Sequence, residues 1–297
     1  MNARQTGLAV TEVLIAMALS LLVVLAAASL LHASNGDFLH NGATTRIDDN
    51  GRFALAIIGQ ALRQAGFAGE PGESDAAGAP PSPLAVEGRD AASVAGNSNG
   101  LGAALPAING SDAIAIRYAP GAIAGSGAGA GRAGGAMLNC AGFPATPGEW
   151  AWSIFYVARA SDGVAELRCK YKGQHGWGDD AVIRGVDAFQ VVYGVDTDTP
   201  RDNIPNLYLT ANGINARDAA LPAAEQATRP NWRRVTSVRI GLLLHGERGS
   251  RIGNRLSGYD LLPGADASAH LDEASLPPGM QHRARRLFAA TVALRNL

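Results

Sequence analysis

The sequence predicts an α+β fold, a long N-terminal helix against a mainly antiparallel sheet with irregular loops. Three observations predict it. Val13 to Leu31 is an uncharged run broken only by Ser20 and Ser29. Ala54, Ile57, Ile58, Ala61, Leu62 and Ala65 then recur at helical spacing. Beyond residue 110, apolar runs of strand length are separated by glycine, aspartate and proline turns. At 297 residues the chain is long enough to bury a sizeable core in one or two domains.

The helix is justified first. At about 1.5 Å per residue, Val13–Leu31 covers roughly 28 Å, the thickness of a bilayer's hydrocarbon core. Arg4 and the free amine precede it, so the start stays cytoplasmic and the rest lies outside the inner membrane. No proline interrupts Leu8 to Phe67, and Gly66 is a C-cap candidate. Gly36, Gly42 and Gly51 each weaken a helix by about 1 kcal/mol, so loosening is expected between Asn35 and Gly51.

The globular elements follow. Residues 69–108, rich in Gly, Ala, Pro, Ser and Asn, read as an irregular excursion. Asp112–Ala119 alternates and reads as a strand. Trp150–Ala158 and Val164–Tyr171, joined by RASDG, read as a hairpin. Further strands are expected around Ala188–Tyr193, from Arg234 and from Arg285. Cys140 and Cys169 allow one disulfide, which would staple the segment before the hairpin to its second strand. Two unpaired cysteines are the alternative.

Charge excludes little. Residues 1–228 hold 14 basic and 21 acidic residues, and residues 229–297 hold 11 and 5. Net charge is −1, with no global pull toward nucleic acid. Lys170 and Lys172 are the only lysines, an arginine bias that reads as genome composition. No metal, nucleotide or hydrolase motif is present, and no cofactor is expected. Gly129, Gly131 and Gly134 formally spell a dinucleotide fingerprint but lack the flanking strand and helix it needs. Asp196, Asp198 and Asp202 invite a calcium reading, yet Pro200 stands where a calcium loop turns on glycine; a solvated turn is expected. His282, Arg283, Arg285 and Arg286 read as a solvated or subunit-facing patch, with no aromatic interleaving for nucleic acid.

Glu12 needs a reason, because a carboxylate in lipid costs on the order of 3 kcal/mol near the bilayer centre and less toward its edge. A signal peptide or a plain anchor does not supply one. GLAVTEVLIAM, from Gly7, resembles the type IV prepilin cleavage region. The resemblance implies a leader over residues 1–7, cut by prepilin peptidase between Gly7 and Leu8, and N-methylation of Leu8. Leucine stands where the family usually has phenylalanine. Glu12 would then pair with the N-terminal cation of a neighbouring subunit, lowering the cost of both charges and fixing register.

NGRFALAIIGQALRQAGFAG, from Asn50, is similar to the helix end of PilW-type minor pilins, as are YGVDTD and the two closing strands. Arg52 is expected to be a solvated helix charge, or else a filament contact. The resemblance implies a pilin-like fold with the membrane or filament-core half of the helix at 8–33, its amphipathic half at 34–67 and a periplasmic β-rich domain at 68–297. It implies a structural, non-enzymatic minor pilin that initiates or caps a type IV pilus, supporting twitching motility, adhesion or DNA uptake. Its partners would be other minor pilins, the major pilin, prepilin peptidase, the inner-membrane assembly machinery and a pilus-tip adhesin. The chain would sit in the inner membrane before assembly and on the cell surface after it. The alternatives are a pseudopilin of type II secretion and, in a different class, a membrane-anchored periplasmic enzyme or binding protein.

Overall fold

The computed structural model describes residues 10–67, 83–119, 137–145, 149–173, 175–251, 253–264 and 269–296. Helix α1 runs Val10–Gln64 without a break, about 80 Å at 1.5 Å per residue. The expected loosening between Asn35 and Gly51 is absent from the backbone. Gly66 ends the helix with φ +73° and donates its N–H to Arg117 O at 2.9 Å. A Cβ there would strike the Asn296 carbonyl, so glycine is required twice over.

Among the described residues thirteen strands follow: β1 Val86–Arg89, β2 Ala92–Val94, β3 Ala104–Pro106, β4 Ala113–Tyr118, β5 Ala151–Arg159, β6 Ala165–Gly173, β7 Gly176–Arg184, β8 Val186–Val195, β9 Leu207–Leu209, β10 Val235–His245, β11 Gly258–Asp260, β12 His270–Asp272 and β13 Arg285–Ala293. A short helix α2, Ala211–Ala219, lies between β9 and β10. One sheet has the order β1-β4-β5-β6-β7 and a second β13-β10-β8-β9. Two small ladders, β2-β3 and β11-β12, complete the set, and every pairing is antiparallel. Residues 69–108 were expected to be irregular; β1, β2 and β3 correct this. β7, β9, β11 and β12 were not anticipated.

A single residue carries the chain from one sheet to the other. Gly185, at φ +79°, donates its N–H to Ala165 O of β6 and accepts from His245 N of β10. Residues 109–112 make the second bridge, along the flank of β8 that β9 does not reach. Asn109 Nδ2 donates to Asp187 O, the Asp112 N–H to Phe189 O, and the Asp112 carboxylate accepts from Val191 N and Ala91 N.

The core lies where α1 and both sheets meet, around Ile58, Leu62, Ile116, Phe155, Leu167, Phe189, Ile240 and Leu242. Ala54, Ile58, Ala61, Leu62 and Ala65 are buried, so the helical period in the sequence marks the inward face. Burial of Ile58 and Leu62 contributes about 2 kcal/mol each. On the opposite face of the second sheet, Leu243 and Val192 are covered by Leu261, Leu262, Leu271 and Leu276.

β13 runs alongside α1 in the same direction. Arg286 reaches Asp48 at 2.5 Å, the Phe288 ring lies on Gly51, Val292 approaches Gly59, and Asn296 Nδ2 donates to Ala65 O. Four residues of strand and eight of helix both span about 12–14 Å, which is why the contacts stay in step.

Candidate assembly surface

Val10–Leu31 is long and apolar enough to cross a membrane, with mean hydropathy 2.7, and none of it is buried by the rest of the chain. Thirteen large apolar side chains from Val10 to Leu31 are at least 44 % exposed, which would be untenable in water. Ser20 and Ser29 return their hydroxyls to Met17 O and Ala26 O, so these two donors are satisfied within the helix. Glu12 is the one charge in the run and is exposed in the first turn. A carboxylate there also meets the positive end of the helix dipole. Gly7 and Leu8 lie outside the described residues, as does the Gly129–Gly134 motif. Further along, Arg52 is exposed and Phe53 is 52 % exposed on the outward side of α1.

Cys140 and Cys169 are joined, with Cα atoms 5.9 Å apart. The bond ties the 137–145 segment to β6, and the Cys140 N–H donates to Ser153 Oγ of β5 at 3.0 Å. Another clamp was not visible in the sequence. Lys170, fully buried on β6, donates to Ala95 O, Ser98 Oγ and Gly100 O at 2.7–2.8 Å. Burial brings its ammonium down to about 8. Its scarcity in an arginine-rich chain was the available signal: a compact ammonium fits three converging acceptors where a planar guanidinium does not.

The C-terminal basic group was expected to be a solvated or subunit-facing patch, and Arg285 departs from the solvated reading while Arg286 stays exposed. The Arg285 side chain is wholly buried between Asp187, 2.6 Å away, and Glu273, 2.7 Å away. Glu273 also accepts from Arg251 at 2.8 Å, His282 N at 2.7 Å and Ser257 N at 3.1 Å. Burial raises the Glu273 carboxyl, but these donors outweigh it and hold the group below its usual range. Arg286 neutralises Asp48 on α1, and Arg283 caps Gly279 O. The carboxylate partners of Arg285 and Arg286 lie 12 to 238 residues away in sequence, so no local pattern reveals them.

Asp196, Asp198 and Asp202 converge, with one oxygen of each within 4.8 Å of the others. Asp196 is buried and accepts from the N–H groups of Asp198, Asp202 and Asn203. Burial raises its carboxyl; the three N–H donors and Arg234 pull it below the ordinary range. Asp198 accepts from Asn206 and Asp202 from Ile204 N. The carboxylates organise the turn by accepting from these protein donors.

A cleft of about 580 Å³ opens between α1 at Arg46–Asn50 and the base of the sheets, lined by Arg184, His245, Arg248 and Arg283. Arg184 pairs with Asp162 and Arg46 with Glu247, which leaves a mixed rather than an anion-selective lining.

Residues 154–296, which run from β5 through β13, match the family model described as Type IV Pilus-assembly protein W. The matched segment, 143 of the 297 residues, is similar to this family. YGVDTD and both closing strands fall inside the matched region. Similarity to this pilus-assembly family supports a pilus-related role in contact with other pilus components. Among solved structures, the type IV-like pilin TTHA1219 from Thermus thermophilus is similar at 12 % identity and a TM-score of 0.37, covering 84 % of this chain and 96 % of that one. No curated protein matches.

Proposed function

We propose that this PilW-like chain is a structural, non-enzymatic minor pilin, processed between Gly7 and Leu8 and assembled with other minor pilins to initiate or cap a type IV pilus. The leader would be residues 1–7, the membrane and filament-core segment 8–33, the docked half of the helix 34–67 and the periplasmic domain 68–297. The observation that carries this reading is α1 itself. Its second half is fixed on the sheets, while its first half exposes an apolar rod with one charge, Glu12. Lipid covers such a rod before assembly and neighbouring helices cover it after. The Glu12 carboxylate then faces the N-terminal cation of a neighbour.

The test is incorporation. Full-length Glu12→Ala and Glu12→Gln chains should reach the membrane and be cleaved, because the peptidase reads Gly7 and the leader. Leaving a neighbour's cation unpaired costs on the order of 3 kcal/mol, so the share in sheared pili should fall more than 100-fold. Incorporation of both variants at the wild-type level would remove Glu12 from the assembly. Recovery of the chain only with type II secretion components would favour the pseudopilin alternative.

A further inference from the structure

The fold treats its strand edges unequally. An unpaired edge is a row of free N–H and C=O groups, and soluble proteins blunt it by shortness, charge, glycine, bulges or a covering loop. β1 and β9 are short, with 4 and 3 residues. The nine-residue β7 carries Asp179, Asp180, Gly176 and Gly178, with a register shift against β6. The flank of β8 beyond β9 is capped by Asn109, Ser111 and Asp112. β13 is also nine residues long, and its only charges are the two arginines at its start, Arg285 and Arg286. From Leu287 to Ala293 it reads LFAATVA, without charge, glycine, proline or register shift.

The register shows which groups are free. Gly246 N donates to Ala284 O and Leu294 N to Thr236 O, so the even-numbered residues of β13 exchange hydrogen bonds with β10. The N–H and C=O groups of Leu287, Ala289, Thr291 and Ala293 therefore point away from β10. None of them has a backbone partner among the described residues. The same four side chains are exposed.

We propose that this edge receives an added β-strand from another pilus subunit, uncharged at its centre and acidic at its ends. Charge selects the occupant. Arg286, half exposed although it pairs with Asp48, and Arg295 flank the neutral stretch, and Arg239 lies beside Thr291 on β10. A second copy of β13 would bring arginine against arginine in either direction, which disfavours self-pairing. A strand with carboxylate ends meets opposite charge, while its backbone satisfies the four free donors and four free acceptors. Position agrees: β13 runs along α1, so a subunit packed on the helix is already beside the edge.

This inference rests on the assembly reading, and the experiment separates the two. Hydrogen exchange of the full-length mature chain is compared between sheared filaments and the detergent-solubilised membrane pool, with fragmentation to single amides. Exchange at Leu287, Ala289, Thr291 and Ala293 should slow at least 10-fold in filaments. Ala289→Pro removes one outward donor and no bond to β10, and Ala289→Lys adds a repelling charge; each should lower incorporation at least 10-fold. Ala289→Val keeps the donor and should incorporate normally. If the wild-type chain is in filaments and its four edge amides exchange as fast as in the membrane pool, strand addition is overturned and the pilin reading stands. If the chain is absent from filaments, both fall.

Discussion

Glu273 is the residue on which the 246–284 excursion turns. It joins Arg285 of β13 to Arg251 and to the backbone of Ser257 and His282, out of water. Glu273→Ala leaves Arg285 with half its compensation and should cost about 3–5 kcal/mol in chemical denaturation of the micelle-bound chain. A loss under 1 kcal/mol would show that the cluster is not a structural centre. The same region sets the response to acid. Burial lowers the His245 pKa from its ordinary 6.5, outweighing Asp187, with Arg283 and Arg285 adding to the fall. The unfolded chain therefore takes up the proton first, and stability is present above about pH 6.5 and declines as pH falls through it. Glu273 is also depressed, so its contribution holds above its ordinary 4.5 and is lost as pH falls further, through its lower folded value. Thermal midpoints should fall in two stages on acidification, and His245→Gln should remove only the first. A rise in midpoint between pH 7 and 5.5 would contradict this. These roles were illegible in the sequence, because a buried arginine and an exposed one look alike until their carboxylates are placed.

At the scale of elements, the sequence was most readable where a period is long. The 3–4 spacing from Ala54 to Ala65 marked the buried face of α1, and the apolar runs of β5, β6, β8, β10 and β13 were visible as strands. β7 was not, because GWGDDAVIR has weak strand propensity and is held by pairing with β6. Gly51 was read as a weakness in the helix, and the structure gives it a purpose. A Cβ there would sit inside the Phe288 ring, so glycine lets strand and helix touch. Gly51→Ala gains helix propensity of up to about 1 kcal/mol but overpacks the contact by about 1–3, so a net loss is expected. In a double-mutant cycle of thermal unfolding, Phe288→Ala should abolish that loss; additive effects would deny the contact. The disulfide closes 29 residues, and Cys140→Ser with Cys169→Ser should destabilise by about 3–4 kcal/mol without altering membrane insertion. Normal stability of the double variant would show that the bridge is dispensable.

At the scale of the whole molecule, one continuous helix serves two solvents. Its far half is a core element of a two-sheet domain, and its near half is an apolar rod that nothing else among the described residues covers. That division was legible in the sequence, because hydropathy and amphipathic period follow each other along one proline-free run. In the proposed assembly the rod meets its neighbours through Glu12 and the N-terminal amine that cleavage would leave at Leu8. The most direct measurement is therefore the intact mass of the chain recovered from sheared filaments. The account predicts an N-terminus at Leu8 carrying one added methyl group. A chain beginning at Met1, or one cut at the Ala26–Ala28 site and beginning at Ser29, would contradict it.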